Sequence, residues 1–152
     1  MSDHLAELLN DFGKLLGLEG LSPAEDDSWA VQFDDVVVQI DADRESGALI
    51  CYVDLGRPPA WGAPTEFYEA LLEANFFASG TGGASLGICR EAGFIALSQR
   101  VPVNGTTPQE LSAVIERLVD FAESWLRKMA DLLAQKDATG SVSQEAGSAL
   151  RV

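Results

Sequence analysis

Apolar and polar positions along the chain change their period several times, and each change marks an element. Leu5, Leu8, Leu9, Phe12, Leu15 and Leu16 recur at helical spacing. They predict an amphipathic first helix, with Ser2 or Asp3 as its cap and Gly17 where a left-handed helix end needs a residue without Cβ. The period then falls to two. In "WAVQF" Trp29, Val31 and Phe33 alternate with small or polar residues, and beyond Asp34-Asp35 the run "VVVQI" alternates Val36, Val38 and Ile40. Folded about that turn, Phe33 faces Val36, Val31 faces Val38 and Trp29 faces Ile40, all on one side of the hairpin. "LICYVDL" continues the same side with Leu49, Cys51 and Val53. The opposite side collects Val37, Ile50 and Tyr52 beside Gln32, Gln39 and Asp54, with enough apolar area to interest a partner.

The loop "GRPPAWGAP" admits neither a helix nor a central strand. "TEFYEALLEANFF" predicts a second helix capped by Thr65. "SLGIC" and "FIALSQRV" predict another hairpin around "REAG", in which Leu86 opposes Leu97 and Ile88 opposes Ile95. Thr107-Pro108-Gln109-Glu110 supplies a cap, a proline at the first helical position and the glutamate of a capping box. Leu111, Val114, Ile115, Leu118, Ala122, Trp125, Leu126, Met129 and Leu133 then mark one face of a long last helix. Beyond Gln135 the chain turns small and polar, and residues 136–152 are expected to form a flexible tail behind a single domain of residues 1–135. The order α-β-β-β-α-β-β-α, with antiparallel hairpins interrupted by helices, predicts an α+β fold.

Composition narrows the function. The 152 residues include 24 acidic and 10 basic side chains, a formal charge of −14, with no basic stripe. Nucleic-acid binding depends on Lys and Arg neutralising phosphates, so it is not expected. An acidic surface keeps a protein soluble and can steer a basic partner towards it. No apolar run has the length to cross a bilayer, and "MSDHLAELLN" lacks the basic and apolar regions of a signal peptide, so no membrane insertion and a cytoplasmic location are expected. Cys51 and Cys89 lie in strand-like runs without a CxxC partner and read as buried free thiols.

The cluster Gly80-Thr81-Gly82-Gly83 resembles a phosphate-binding loop but fails as one. A phosphate cradle needs the order strand, glycines, helix, whereas here a helix precedes the glycines and a strand follows. The only Gly-Lys pair, Gly13-Lys14, continues into Leu15, and Ser85 stands where a dinucleotide fingerprint needs a third glycine. The glycines read instead as a sharp helix-to-strand reversal. His4 is the only histidine, which removes sites built on several imidazoles and makes a nucleophilic triad improbable. "DADRESGALICY" places Tyr52 where a calcium loop needs glutamate. No catalytic constellation, metal site or cofactor site emerges. Paired carboxylates stay open as a lesser alternative, since sequence does not show separations.

The run "LLEANFFASGTGGASLGI", the following "FIALSQRVPV" and the long last helix together resemble the class I type III secretion chaperones, the family typified by the Tir chaperone. The resemblance spans about the first 135 residues and is specific from Leu71 to Val103. It implies a homodimer, a twisted antiparallel five-stranded sheet with three helices packed on it, no enzymatic activity and no cofactor. The implied partner is a secreted effector protein of a bacterium, held by its N-terminal chaperone-binding segment. Dimer contacts in the family come mainly from the second helix and the fourth strand, which here offer Phe67, Leu71, Phe76, Leu86 and Ile88. Effector contacts come from grooves near the first helix and from the sheet, which here offer Leu5, Leu9, Phe12, Val37, Ile50 and Tyr52. Some family members bind regulatory proteins that couple secretion to transcription, and this is the nearest alternative.

Overall fold

The computed structural model describes residues 2–18, 21, 26–59 and 62–149. The elements run α1 (Ser2–Leu15), β1 (Ser28–Phe33), β2 (Val36–Asp43), β3 (Ala48–Asp54), α2 (Thr65–Asn75), a 3-10 turn (Phe76–Ala78), β4 (Ser85–Cys89), β5 (Phe94–Pro102) and α3 (Pro108–Ala149). This is the expected α+β order. The Ser2 and Asp3 side chains, proposed as caps of α1, lie outside the described part, as do Ala60 and Trp61 of the proline-rich loop.

Both hairpins form in the register that their alternation dictates. Phe33 pairs with Val36, Val31 with Val38 and Trp29 with Ile40, while Leu86 pairs with Leu97 and Ile88 with Ile95. All pairings are antiparallel, and the strand order is β1-β2-β3-β5-β4. β5 is thus inserted between β3 and β4, leaving β1 and β4 as the two edges. One sheet face, carrying Val38, Ile40, Leu49, Cys51, Val53, Ile95 and Leu97, is buried with apolar side chains of all three helices in a single core. Among the described residues no helix packs on the other face.

The ends of the helices follow from local chemistry. Gly17 sits at φ 72°, its N–H donates to Lys14 O, and that of Leu18 donates to Gly13 O at 2.9 Å. These two bonds close α1 in a Schellman motif. At α2 the residue at the cap is Pro64, with extended backbone and no side-chain cap bond, so Thr65 is the first helical residue and not the cap expected of it. The Phe67 N–H donates instead to Pro64 O at 3.0 Å, so this first-turn donor is satisfied without a hydroxyl cap. At α3 the capping box forms: Glu110 N–H donates to Thr107 Oγ1 at 3.2 Å, and the Glu110 carboxylate accepts from the Thr107 N–H at 2.8 Å. Thr107→Ala is therefore expected to lower the unfolding free energy by about 1 kcal/mol in denaturant titration.

The Thr107 backbone bond, followed by its hydroxyl, holds the Glu110 carboxyl below its ordinary pKa. A depressed carboxyl stabilises the fold above its unfolded pKa and loses that contribution as pH falls through its folded one. The stability gap between wild type and Glu110→Gln should therefore be open at neutral pH and close in acid.

The last helix continues beyond Gln135 to Ala149, further than the element its apolar stripe predicts. Along that stripe Leu111, Ile115, Leu118, Ala122, Trp125 and Met129 are buried, while Leu126 is exposed. Cys51 is buried, and burial pushes its thiol up to about 12, so it is an inert neutral side chain. Cys89 corrects the expectation of two buried thiols: it is exposed, because it lies on the edge strand β4 opposite Phe94, on the face away from the core.

Candidate partner-binding surfaces

Among the described residues, two apolar surfaces are left uncovered on this scaffold. The first follows from how α2 ends. Asn75, the last residue of α2, turns its side-chain amide onto β4: its Nδ2 donates to Leu86 O at 2.9 Å and its Oδ1 accepts from Leu86 N–H at 2.8 Å. This pair mimics a neighbouring strand and fixes α2 against the β4 edge. Asn75→Ala leaves the two Leu86 groups unsatisfied and should cost about 2 kcal/mol of stability, read by thermal unfolding.

Beside that contact, Tyr68, Leu71, Leu72, Asn75, Leu86, Gly87 and Ile88 line an apolar groove of about 340 Å³. The chain then leaves the helix through two residues in the left-handed region, Phe77 at φ 52° and Ala78 at φ 53°. For a bulky residue this conformation costs about 1 kcal/mol or more. Its effect is to turn Phe77 outward. Leu72 is 71% exposed, Phe76 70%, Phe77 89% and Ile88 52%, and the two phenyl rings meet edge to face at 4.5 Å. Such a concentration of exposed large apolar side chains, next to a groove of the same character, marks an interaction surface.

The glycine cluster builds this reversal. A Cβ on Gly80 would lie 2.8 Å from Ala74 Cβ, and one on Gly82, which has φ +62°, would lie 2.3 Å from the Phe121 ring. The loop's N–H groups turn inward: those of Thr81 and Gly82 donate to Ala78 O, and that of Gly80 donates to Ala74 O at 3.1 Å. The Trp125 indole N–H donates to Gly80 O at 2.9 Å, and the buried Thr81 hydroxyl donates to Ala84 O. These glycines serve close packing between α2, β4 and α3, as the order of elements implied.

The second surface is the uncovered sheet face. Val37 on β2 is exposed, while Ile50 and Tyr52 on β3 and Phe94 and Ala96 on β5 are half-buried. Tyr52 and Phe94 stack with ring centroids 6.4 Å apart. Asp41 lies within this face opposite Ile50. Burial raises its pKa, a shift opposed by the Tyr52 hydroxyl and reinforced by the Asp26 charge. The Tyr52 hydroxyl is itself pushed up, first by burial and then by Asp41.

The residues singled out from sequence fall into two groups. Val37, Ile50 and Tyr52 share the uncovered face, and Phe76 and Ile88 are exposed at the end of α2 and on β4. Leu71 and Leu86 are buried but form the floor of the groove. Leu5, Leu9, Phe12 and Phe67 are enclosed in the core, so a partner could touch them only if their helices lifted. Sequence reading missed Leu72, Phe77 and Phe94. Leu72 lies outside the buried stripe formed by Phe67, Leu71 and Ala74, a signal that was present in the pattern.

His4 is exposed on α1, 3.7 Å from Glu7, and among the described residues no group of three or more His, Cys, Asp or Glu side chains is arranged to hold a metal ion. Among them too, no helix is long and apolar enough to cross a membrane.

The model of the Tir chaperone protein (CesT) family matches residues 7–126. Among solved structures, the chain is similar to the Yersinia pestis type III secretion chaperone SycH, solved in complex with a fragment of YscM2. The identity is 25%, the TM-score 0.62, and the match covers 78% of this chain and 97% of that one. A chain of the ExsC–ExsE complex is 22% identical with a TM-score of 0.69, covering 84% of this chain and 94% of that one. A chain of the Pseudomonas aeruginosa heterodimeric ExoU–SpcU complex from the type III secretion system is 21% identical with a TM-score of 0.64, covering 82% and 97%. Comparison with curated protein sequences returns no match.

Proposed function

The chain belongs to the Tir chaperone protein (CesT) family, and from that premise we propose that it is a non-enzymatic chaperone which binds a type III secretion effector as a homodimer. It holds the effector's N-terminal segment in a non-globular form and so keeps it competent for export. Two structural neighbours, SycH with YscM2 and ExoU with SpcU, were solved as complexes with a partner protein, which supports a protein as the ligand here. A cytoplasmic location in a bacterium fits this role. Residues 1–135 form the functional unit in this reading, with the polar segment after Gln135 outside it.

The observation that carries the proposal is the coexistence of two uncovered apolar surfaces on one small acidic domain. A single surface would be explained by self-association alone. In the proposed dimer, α2 and β4 of one copy meet the same elements of the other about a two-fold axis, with Leu72, Phe76, Phe77 and Ile88 packing over the Leu71–Leu86 floor. The effector lies on the sheet face carrying Val37, Ile50 and Tyr52, while the buried Leu5, Leu9 and Phe12 hold α1 in the core on the other side of the sheet. An extended segment can satisfy its backbone along a sheet edge while its side chains enter apolar sites.

Ordering an unfolded partner costs a few kcal/mol, so affinity must come from a long contact. Single substitutions on the sheet face should each weaken binding only modestly. Affinity capture of the tagged chain from its native bacterium, with mass spectrometry of the bound fraction, tests the proposal. A secreted protein retained through its N-terminal region is the expected result. A chain that retains no secreted protein, while the secretion apparatus is expressed, contradicts it.

A further inference from the structure

With the uncovered sheet face read as the effector-binding surface, we propose that it selects an amphipathic segment carrying a Lys or Arg among its apolar residues, and that Asp41 is the residue that recognises this cation. Asp41 stands on that face among side chains that a docked segment would cover. Ile50 is directly opposite on β3, and the Tyr52 hydroxyl lies against the carboxyl while its ring stacks on Phe94. Among the described residues no cation pairs with Asp41. The two arginines of neighbouring positions are already engaged: Arg44 binds Asp27 through two nitrogens, and Arg100, which pairs with Ile50 from the far side, binds Asp43 at 2.7 Å.

A carboxylate that has a hydroxyl but no cation beside it, between Ser28 on β1 and Ile50 on β3, sets the chemistry of what can cover it. A wholly apolar segment would strip water from Asp41 and supply nothing in return, which is costly for a charged group. An acidic segment would add repulsion from Asp41, Asp43 and Asp54. A segment that places an ammonium or guanidinium over Asp41 supplies the missing partner while its apolar residues cover Val37, Ile50, Tyr52 and Phe94. The formal charge of −14 would draw such a segment in.

Three synthetic peptides test this on the full chain. They share the same amphipathic pattern of leucines and differ only at one central position, which is Lys, Gln or Glu. Fluorescence anisotropy on wild type should rank them Lys, Gln, Glu, with Lys favoured over Gln by about tenfold. In Asp41→Asn the Lys preference should shrink to about twofold or less, and Tyr52→Ala should weaken all three.

Wild type alone gives a check free of any folding defect. The titratable groups acting on Asp41 are Tyr52 and Asp26, and Asp43, two positions along β2 on the same face, is paired with Arg100. Acidification through the raised range of Asp41 should weaken the Lys peptide, by loss of the ion pair, and strengthen the Gln peptide, by removal of a buried charge. No ranking by charge, a ranking unchanged in Asp41→Asn, or acid responses of the same sign overturns the assignment to Asp41. In those cases the Tyr52 dependence still stands for the face as a docking surface. Equal binding of the peptides to wild type and Tyr52→Ala, or no binding at all, overturns the docking surface itself and the cation recognition with it.

Discussion

Gly82→Ala is expected to destabilise the fold by about 3 kcal/mol, lowering the thermal unfolding midpoint by roughly 10 °C. Two independent costs meet at this position. The backbone stands at φ +62°, where an L side chain is strained, and the added Cβ would lie 2.3 Å from a Phe121 ring carbon. The ring cannot be left in place, and moving it disturbs α3 beside Trp125, whose indole holds the same loop through Gly80 O.

The neighbouring glycines separate the two costs. Gly83 has φ +99° but its nearest foreign atom would be 3.8 Å away, and Gly87 has no foreign atom within 4 Å and no positive φ. Gly83→Ala should therefore cost about 1 kcal/mol from backbone strain alone, and Gly87→Ala should come close to neutral in packing. Calorimetry that ranks the losses as Gly82, Gly83, Gly87 supports the packing role of the cluster. Equal, small losses would mean that the glycines are kept for something other than close approach.

The largest effect on assembly is expected from the double substitution Phe76→Ser and Phe77→Gly. Each ring stands almost free of its own protomer, so the folded monomer loses little by their removal. Glycine at position 77 also relieves the left-handed strain at φ 52°, a gain of about 1 kcal/mol. The proposed dimer, by contrast, loses two aromatic anchors that would be buried at its centre. Its dissociation constant should rise by about 100-fold, read by sedimentation equilibrium over a concentration series. The double variant should thus be the more thermostable protomer and the poorer dimer. A dimer of unchanged affinity would remove α2 and the turn after it from the interface.

The parts of the fold that were legible in sequence are those governed by local rules. The β1–β2 register follows from alternation on either side of a two-residue turn, and the start of α3 from a threonine, a proline and a glutamate at fixed spacing. The insertion of β5 between β3 and β4 was not legible, because it is decided by pairing between Val53 and Leu97, far apart in the chain. The hydroxyl of Thr65 makes it the cap that local rules favour, but Pro64 occupies the cap position.

The site was legible in part for a similar reason. Period-two alternation separates the two faces of a strand cleanly, and so it placed Val37, Ile50 and Tyr52 together. Helical spacing does not separate core from interface when a helix has apolar residues on more than one side, and it could not distinguish the enclosed Phe67 from the exposed Phe76. Nothing in "ANFFASG" announces two consecutive non-glycine residues in the left-handed region. The outward turn of Phe77 is a product of the packing that follows it.

The most direct test of the chaperone reading is light scattering on the chain co-expressed with the N-terminal fragment of a secreted effector from the same bacterium. The predicted result is one complex whose mass equals two chains of 16.2 kDa plus the fragment, with the fragment soluble only in its presence. A chain that elutes at the mass of a single copy, with the fragment insoluble or eluting separately, would contradict the account.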